Sequence, residues 1–425
     1  MKIKGQEGFT LVELMITMVV FVLAMVAASN IFTALLAQFK QQSSIAESNI
    51  GGISGLEMMR HDMELAGFGL PWNLNSATYA EAVDGAKYDP TNTNAAIASI
   101  KASDYNDATG NAPRAVVVGN NVLMNNSDIL AIKATNVATN AASQKWEYIV
   151  NNGDLPNLLR DWGGSTVEKL NLTDHVIIVN PSAGSNVGNQ KVLVNSSGNF
   201  DVTIGNGSFS FITNTATPYT PFEPPQNSFT AYIAYGVSPG VLRMPFNRAD
   251  FYVKQPPDND GDGWPDGLPR RCQPNTGILY KATINHADGG LTELPLLDCV
   301  LDMQVVVALD KTSGGSATVW EGLPADGAVL PAGLTAQQVR DQLKEIRVYL
   351  IVQDGQKDPL YTYVNPDTAA PPSDRNMVYV TDPNLKSAAN PNGNVYWNTK
   401  SGFTVPDLNY RWKLQTIVIT PYNLE

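Results

Sequence analysis

The chain has 425 residues with 43% hydrophobic content, enough for a buried core and too much for a disordered chain. A net charge of −12 disfavours direct capture of nucleic acid, which needs a basic stripe. The length allows up to about three domains.

The N-terminus opens with "MKIKGQEG", carrying Lys2 and Lys4. From Phe9 to Phe39 the only ionisable side chain is Glu13, and the run exceeds the roughly 20 residues that cross a bilayer as a helix. The basic start predicts a cytoplasmic N-terminus in the inner membrane, with everything after Lys40 exported. Placing a carboxylate such as Glu13 in hydrocarbon costs roughly 2.5–3.5 kcal/mol, so it is a candidate functional residue. A cleaved secretory signal ending at "VAA" (Val26 to Ala28) fits less well, because the apolar run continues through Ile31, Phe32, Leu35 and Leu36.

Ile45, Ile53, Leu56, Met59 and Met63 recur near whole helical turns, which extends the helix beyond the membrane. Gly51 and Gly52 predict a soft spot in it, and "AGFGLPW" supplies stop signals at Gly67, Gly69 and Pro71. Residues 73–113, rich in Ala, Asn, Asp and Thr, read mostly as a long surface loop. Strands are expected at "RAVVVG", "SDILAIKA", "DHVIIVN", "QKVLVN", "SFTAYIAYG", "ADFYVK", "GILYKATI", "VLDMQVVVAL", "EIRVYLIV" and "LQTIVIT". One short helix is expected near Thr335 to Lys344, capped by the threonine. A long helix ahead of a strand-rich body is an α+β layout.

In "PPDNDGDGWPDG", Asp258, Asp260 and Asp262 occupy positions 1, 3 and 5 of a calcium loop and Gly263 the turn position. The Trp264 carbonyl and Asp266 follow at positions 7 and 9, while position 12 is Pro269 where a bidentate Glu would stand. Flanking prolines forbid the helices of an EF-hand, so the stretch resembles the Asp loops of thrombospondin type 3 repeats, and Ca²⁺ is the expected cofactor. An acidic solvated turn is the plain alternative. Cys272 and Cys299 both lie in the exported part, where an isolated pair most simply forms one disulfide.

No catalytic reading survives. "GVSPG" (Gly236 to Gly240) has the spacing of a nucleophile elbow, but Pro239 lacks the N–H that the oxyanion hole needs. His61, His175 and His286 show no metal-ligand spacing.

"GFTLVELMI" after a short basic leader resembles the class III signal of type IV pilins and pseudopilins. That resemblance implies a pilin-like fold: a leader at 1–8, an N-terminal helix at 9–70 with its membrane half at about 9–39, and a β-rich domain at 71–425 holding the acidic loop at 258–266. It implies that a prepilin peptidase cuts between Gly8 and Phe9, and that Phe9 becomes the N-methylated first residue. Glu13 would then pair with the N-terminal amine of a neighbouring subunit. "LEMMRHDMELAGFG" and the order of the later segments resemble PilW-like minor pilins, with extra material around 73–113 and 255–275. The implied role is priming of type IV pilus assembly with other minor pilins and the major pilin, at or near the tip, with a PilY-type adhesin as a further partner. A type II secretion pseudopilin and a surface adhesin on a pilin-type anchor are the alternatives.

Overall fold

The computed structural model describes residues 10–150, 157–158, 169–171, 173–181, 190–195, 197–203, 222, 224, 230–322, 329–365, 376–378, 380–386, 393, 395, 403–404 and 406–424, with backbone alone at 34, 36–51, 157–158 and 403–404. Helix α1 (Leu11–Glu64) is 54 residues long. It starts at a threonine cap and contains no proline, so nothing interrupts its hydrogen-bond ladder. It ends where Gly67 and Gly69 take positive φ of 85° and 68°. The Tyr422 amide donates to the Glu64 carbonyl there, tying the last turn to the C-terminal segment.

The strand-rich body follows as β1 (Val116–Gly119), β2 (Ile129–Ala134), β3 (Trp146–Val150), β4 (His175–Asn180), β5 (Tyr232–Ser238), β6 (Asn247–Lys254), β7 (Gly277–Ile284), β8 (Leu291–Leu309), β9 (Val329–Leu330), β10 (Leu343–Asp354) and β11 (Arg411–Ile419). The larger sheet runs β9-β1-β2-β6-β7-β8-β10-β11, and Val319–Glu321 pairs with the end of β8. Every pairing in it is antiparallel. A second sheet is centred on β3-β5-β4. Both faces of the larger sheet are covered. One packs under α1 through Met59, Met63, Val305, Val307 and Ile346, and the other buries Leu301, Val306, Tyr349, Ile351 and Trp412. Burial on both sides is why its central strands read as unbroken apolar runs rather than alternations.

All ten expected strand segments appear. Strand β3 escapes the apolar pattern because one of its inward positions is the fully buried Glu147. The expected short helix is α2 (Ala336–Gln342), whose Thr335 and Gln338 form a reciprocal capping box.

Two expectations are corrected. Helix α1 runs unbroken through Gly51 and Gly52, which do not interrupt it. A Cβ on Gly55 would lie 2.2 Å from the Leu296 carbonyl oxygen, and one on Gly52 would lie 2.8 Å from the Leu297 side chain. Gly52 and Gly55 therefore let the helix backbone rest against β8, an approach that offsets their propensity cost of about 1 kcal/mol each. The packed stripe is Gly52, Gly55, Met59 and Met63, with Leu56 partly buried, whereas Ile53 is 62% exposed. The side chain of Ile45 lies outside the described residues.

The segment 73–113 is not a surface loop. Leu74, Ala77, Tyr79, Glu81, Tyr88, Tyr105 and Asp107 are all buried against the larger sheet. Its buried acids Glu81 and Asp107 meet cations on that sheet. Lys133 Nζ sits 2.7 Å from both Glu81 and Asp107, and Arg114 Nε is 2.6 Å from Asp107. Arg248 grips Asp250 with two bonds of 2.8 Å, reaches Glu81 at 3.3 Å, and donates to the Ala102 carbonyl at 2.9 Å. Burial alone would push the Asp107 carboxyl up, but Lys133 and Arg114 hold it below the usual carboxylate range.

Candidate functional site

The head of α1 is built by Thr10 and Glu13. The Thr10 hydroxyl accepts from the Glu13 amide at 3.2 Å, and the Glu13 carboxylate accepts from the Thr10 amide and hydroxyl, both at 3.0 Å. This reciprocal cap satisfies the first turn and gives the carboxylate a place near the positive end of the helix dipole. Glu13 in a lone chain is therefore held by Thr10, where the sequence suggested a stranded charge. The T-x-x-E spacing carries that signal in the residues themselves. Gly8 and Phe9 lie outside the described residues.

Behind the cap, Leu11–Thr33 is an apolar stretch of 23 residues with none of the described residues packed on it. At about 1.5 Å per residue it is long enough to cross a hydrocarbon core of about 30 Å.

The acidic loop joins β6 to β7. One carboxylate oxygen each from Asp258, Asp260 and Asp262 gathers within 4.8 Å, all three residues being exposed. Asp258 curls the turn by accepting from the amides of Gly261 at 2.8 Å and Gly263 at 2.9 Å, both glycines at positive φ. Asp262 accepts from the Trp264 amide, and its other oxygen meets Arg270 at 2.7 Å. That hydrogen bond holds the Asp262 carboxyl below its ordinary range. Asp266 accepts from the amide and side chain of Asn259, both at 3.0 Å. The Trp264 indole donates to the Leu268 carbonyl and lies 5.3 Å from the Arg270 guanidinium. Oxygen donors on alternate residues around one centre fit a hard divalent cation, while Arg270 offsets part of their repulsion and would compete for Asp262.

The Cys272–Cys299 disulfide anchors this loop to β8, with Cα atoms 5.0 Å apart and both residues buried. Cys299 sits at φ 58°, where the pairing of β7 with β8 is irregular.

The second sheet sets Ser238 opposite His175, whose Nδ1 lies 2.7 Å from Asp201. Sequence order had not suggested this grouping. The Ser238 hydroxyl instead accepts from the Gly240 amide at 3.1 Å, and Pro239 offers no N–H for an oxyanion. Nearby His286 is neutral: burial pushes it down to about 4, its Nδ1 accepts from the Arg243 amide, and Nε2 bonds Asn247.

The prokaryotic N-terminal methylation motif matches residues 3–29. No curated protein matches the chain. Among solved structures, a type IV-like pilin from Thermus thermophilus is similar at 11% identity, over 42% of this chain and 69% of that one, with a TM-score of 0.20, too low to argue from. A prepilin-type N-terminus implies processing by a prepilin peptidase and pilus-type partners in general, and it fits membrane anchoring followed by assembly. The chain thus carries the N-terminal methylation motif of prepilin-like proteins, on an apolar helix long enough to span a membrane, ahead of a strand-rich α+β body.

Proposed function

We propose that the chain is a PilW-like minor pilin, cut between Gly8 and Phe9, methylated at Phe9, and joined to other minor pilins to prime type IV pilus assembly near the tip. The observation that supports this most is the methylation motif running directly into the exposed apolar stretch Leu11–Thr33, whose one acid, Glu13, stands in the first turn of α1. The large domain is exported and held at the inner membrane until assembly. In the filament, the amine of a neighbouring subunit replaces Thr10 as the partner of Glu13, so the carboxylate sets register between subunits. A buried ion pair specifies geometry more than it adds affinity.

Glu13→Ala is the test. Cleavage and insertion should proceed, because the span keeps its length and gains apolarity, but co-purification with sheared pili should fall at least tenfold. Unchanged incorporation would refute the register role.

The loop at 258–266 is proposed to bind Ca²⁺ through Asp258, Asp260, Asp262, the Trp264 carbonyl and Asp266, in the weak range of extracellular modules, about 10⁻⁴–10⁻³ M. Arg270 makes a specific forecast possible. Calcium must displace it from Asp262, so Arg270→Ala should tighten binding, while Asp260→Ala with Asp262→Ala should abolish it. Calorimetric titration of the full chain in detergent reads both. No heat at millimolar calcium in either wild type or Arg270→Ala rules the site out.

A further inference from the structure

Strand β7 stops pairing with β8 at Val300, so the same edge of β8 beyond that point needs another partner. The turn 121–128 between β1 and β2 supplies it. The Asp128 amide donates to the Met303 carbonyl at 2.8 Å, the Ser127 hydroxyl accepts from the Met303 amide at 3.3 Å, and the Asp128 carboxylate accepts from the Val305 amide at 2.7 Å. Asn125 donates to the Leu301 carbonyl, and the Gln304 side chain donates back to the Asn126 carbonyl, both at 2.8 Å. Side chains of the turn thus stand in for a missing strand.

Two carboxyls sit in this contact. Asp128 is fully buried and Asp302 is 1% exposed. Asp302 Oδ1 accepts from the Ser127 hydroxyl at 2.8 Å and Gln304 at 3.3 Å, while its Oδ2 is buried without a hydrogen-bond partner. Among the described residues, Asp128 accepts from the amides of Asn121 and Val305. The groups around them are neutral: Asn121 and Ser127 from the turn, Met303 and Gln304 from β8, and Ile351, which pairs with Asp302, from β10. Tyr105, itself pushed above its ordinary range mainly by burial, feels the charges of Asp128 and of Asp104, Asp250 and Arg248. Among the described residues, no cation forms an ion pair with either carboxyl. A buried carboxylate with neither cation nor full hydrogen bonding is costly as an anion and tolerable as an acid.

We propose that Asp128 and Asp302 form a buried proton-binding pair, and that docking of the turn 121–128 onto β8 depends on that pair holding proton. Burial pushes Asp302 up to about 7 and Asp128 well above its ordinary range, the latter also raised by Asp302. In the unfolded chain both carboxyls titrate near about 3.9. Folding therefore takes up protons between the unfolded and folded values. The stabilisation is fully present below about pH 4 and is lost as pH rises through about 7. For each proton taken up, the folding equilibrium constant falls roughly tenfold per pH unit across that window. Exported to an exterior of variable pH, the domain would hold this turn firmly in acid and loosely in alkali.

The test compares denaturant unfolding of the full wild-type chain and Asp302→Asn in detergent from pH 5 to 8. Asparagine keeps an acceptor for Ser127 and places an uncharged amide where Oδ2 stands. Between pH 5 and 7 the wild type should lose roughly tenfold in folding constant per unit that the variant does not lose. Equal slopes would overturn the proposal. If the variant does not fold, infrared spectra of the wild type decide. A protonated-carboxyl band at pH 6.5 that vanishes by pH 9 supports the pair, and its absence at pH 6.5 overturns it.

Discussion

Replacing Glu81 by Ala will destabilise the folded chain by about 3–5 kcal/mol, the cost of breaking a buried ion pair from one side. Glu81 is fully buried and touches both Lys133 and Arg248. It also accepts from the amides of Asp107 at 2.6 Å and Ala108 at 3.1 Å. Removing it leaves two amides unsatisfied and an uncompensated positive charge inside the protein. Lys133 keeps Asp107 and Arg248 keeps Asp250, but three cations would then face two carboxylates. Denaturant midpoints of the full chain in detergent read the loss. Glu81→Ala combined with Lys133→Met should cost less than the two single changes added, since the double variant removes one charge of each sign. A Glu81→Ala loss below about 1 kcal/mol would show that water reaches the network and screens it.

Replacing Gly8 by a bulky residue such as Leu will block removal of the leader, an all-or-none effect on maturation. A peptide bond threaded through a peptidase cleft beside the membrane leaves little room for a side chain on the residue before the cut, and glycine also allows the backbone its widest choice of conformation there. Mass spectrometry of the N-terminus should find the wild type beginning at Phe9 and the variant retaining residues 1–8, with the variant absent from sheared pili. A wild-type chain that begins at Ser29 would mark the segment as an ordinary secretory signal and defeat the pilin reading.

Features that depend on neighbours in the chain were readable before any coordinates. The apolar run of α1, the threonine cap of α2, the β-branched strand runs and the Asp-x-Asp-x-Asp spacing each arise from residues within a turn or two of one another. The cysteine pairing followed from having two candidates and one compartment. Tertiary structure decided which charges and which glycines lie inside. Glu81 meets Arg248 across 167 positions and Ser127 meets Asp302 across 175, so no local pattern separates these residues from solvated ones. A polar loop composition in 73–113 looked exposed because its buried acids, Glu81 and Asp107, meet cations supplied by the distant β2 and β6. Gly52 looked like a break in a helix because the strand that rests against it, and against Gly55, lies more than two hundred residues away. Helix and strand periodicity is a property of the local backbone, whereas the burial of a charge or the close approach of two backbones is set by whichever distant segment the fold brings against it.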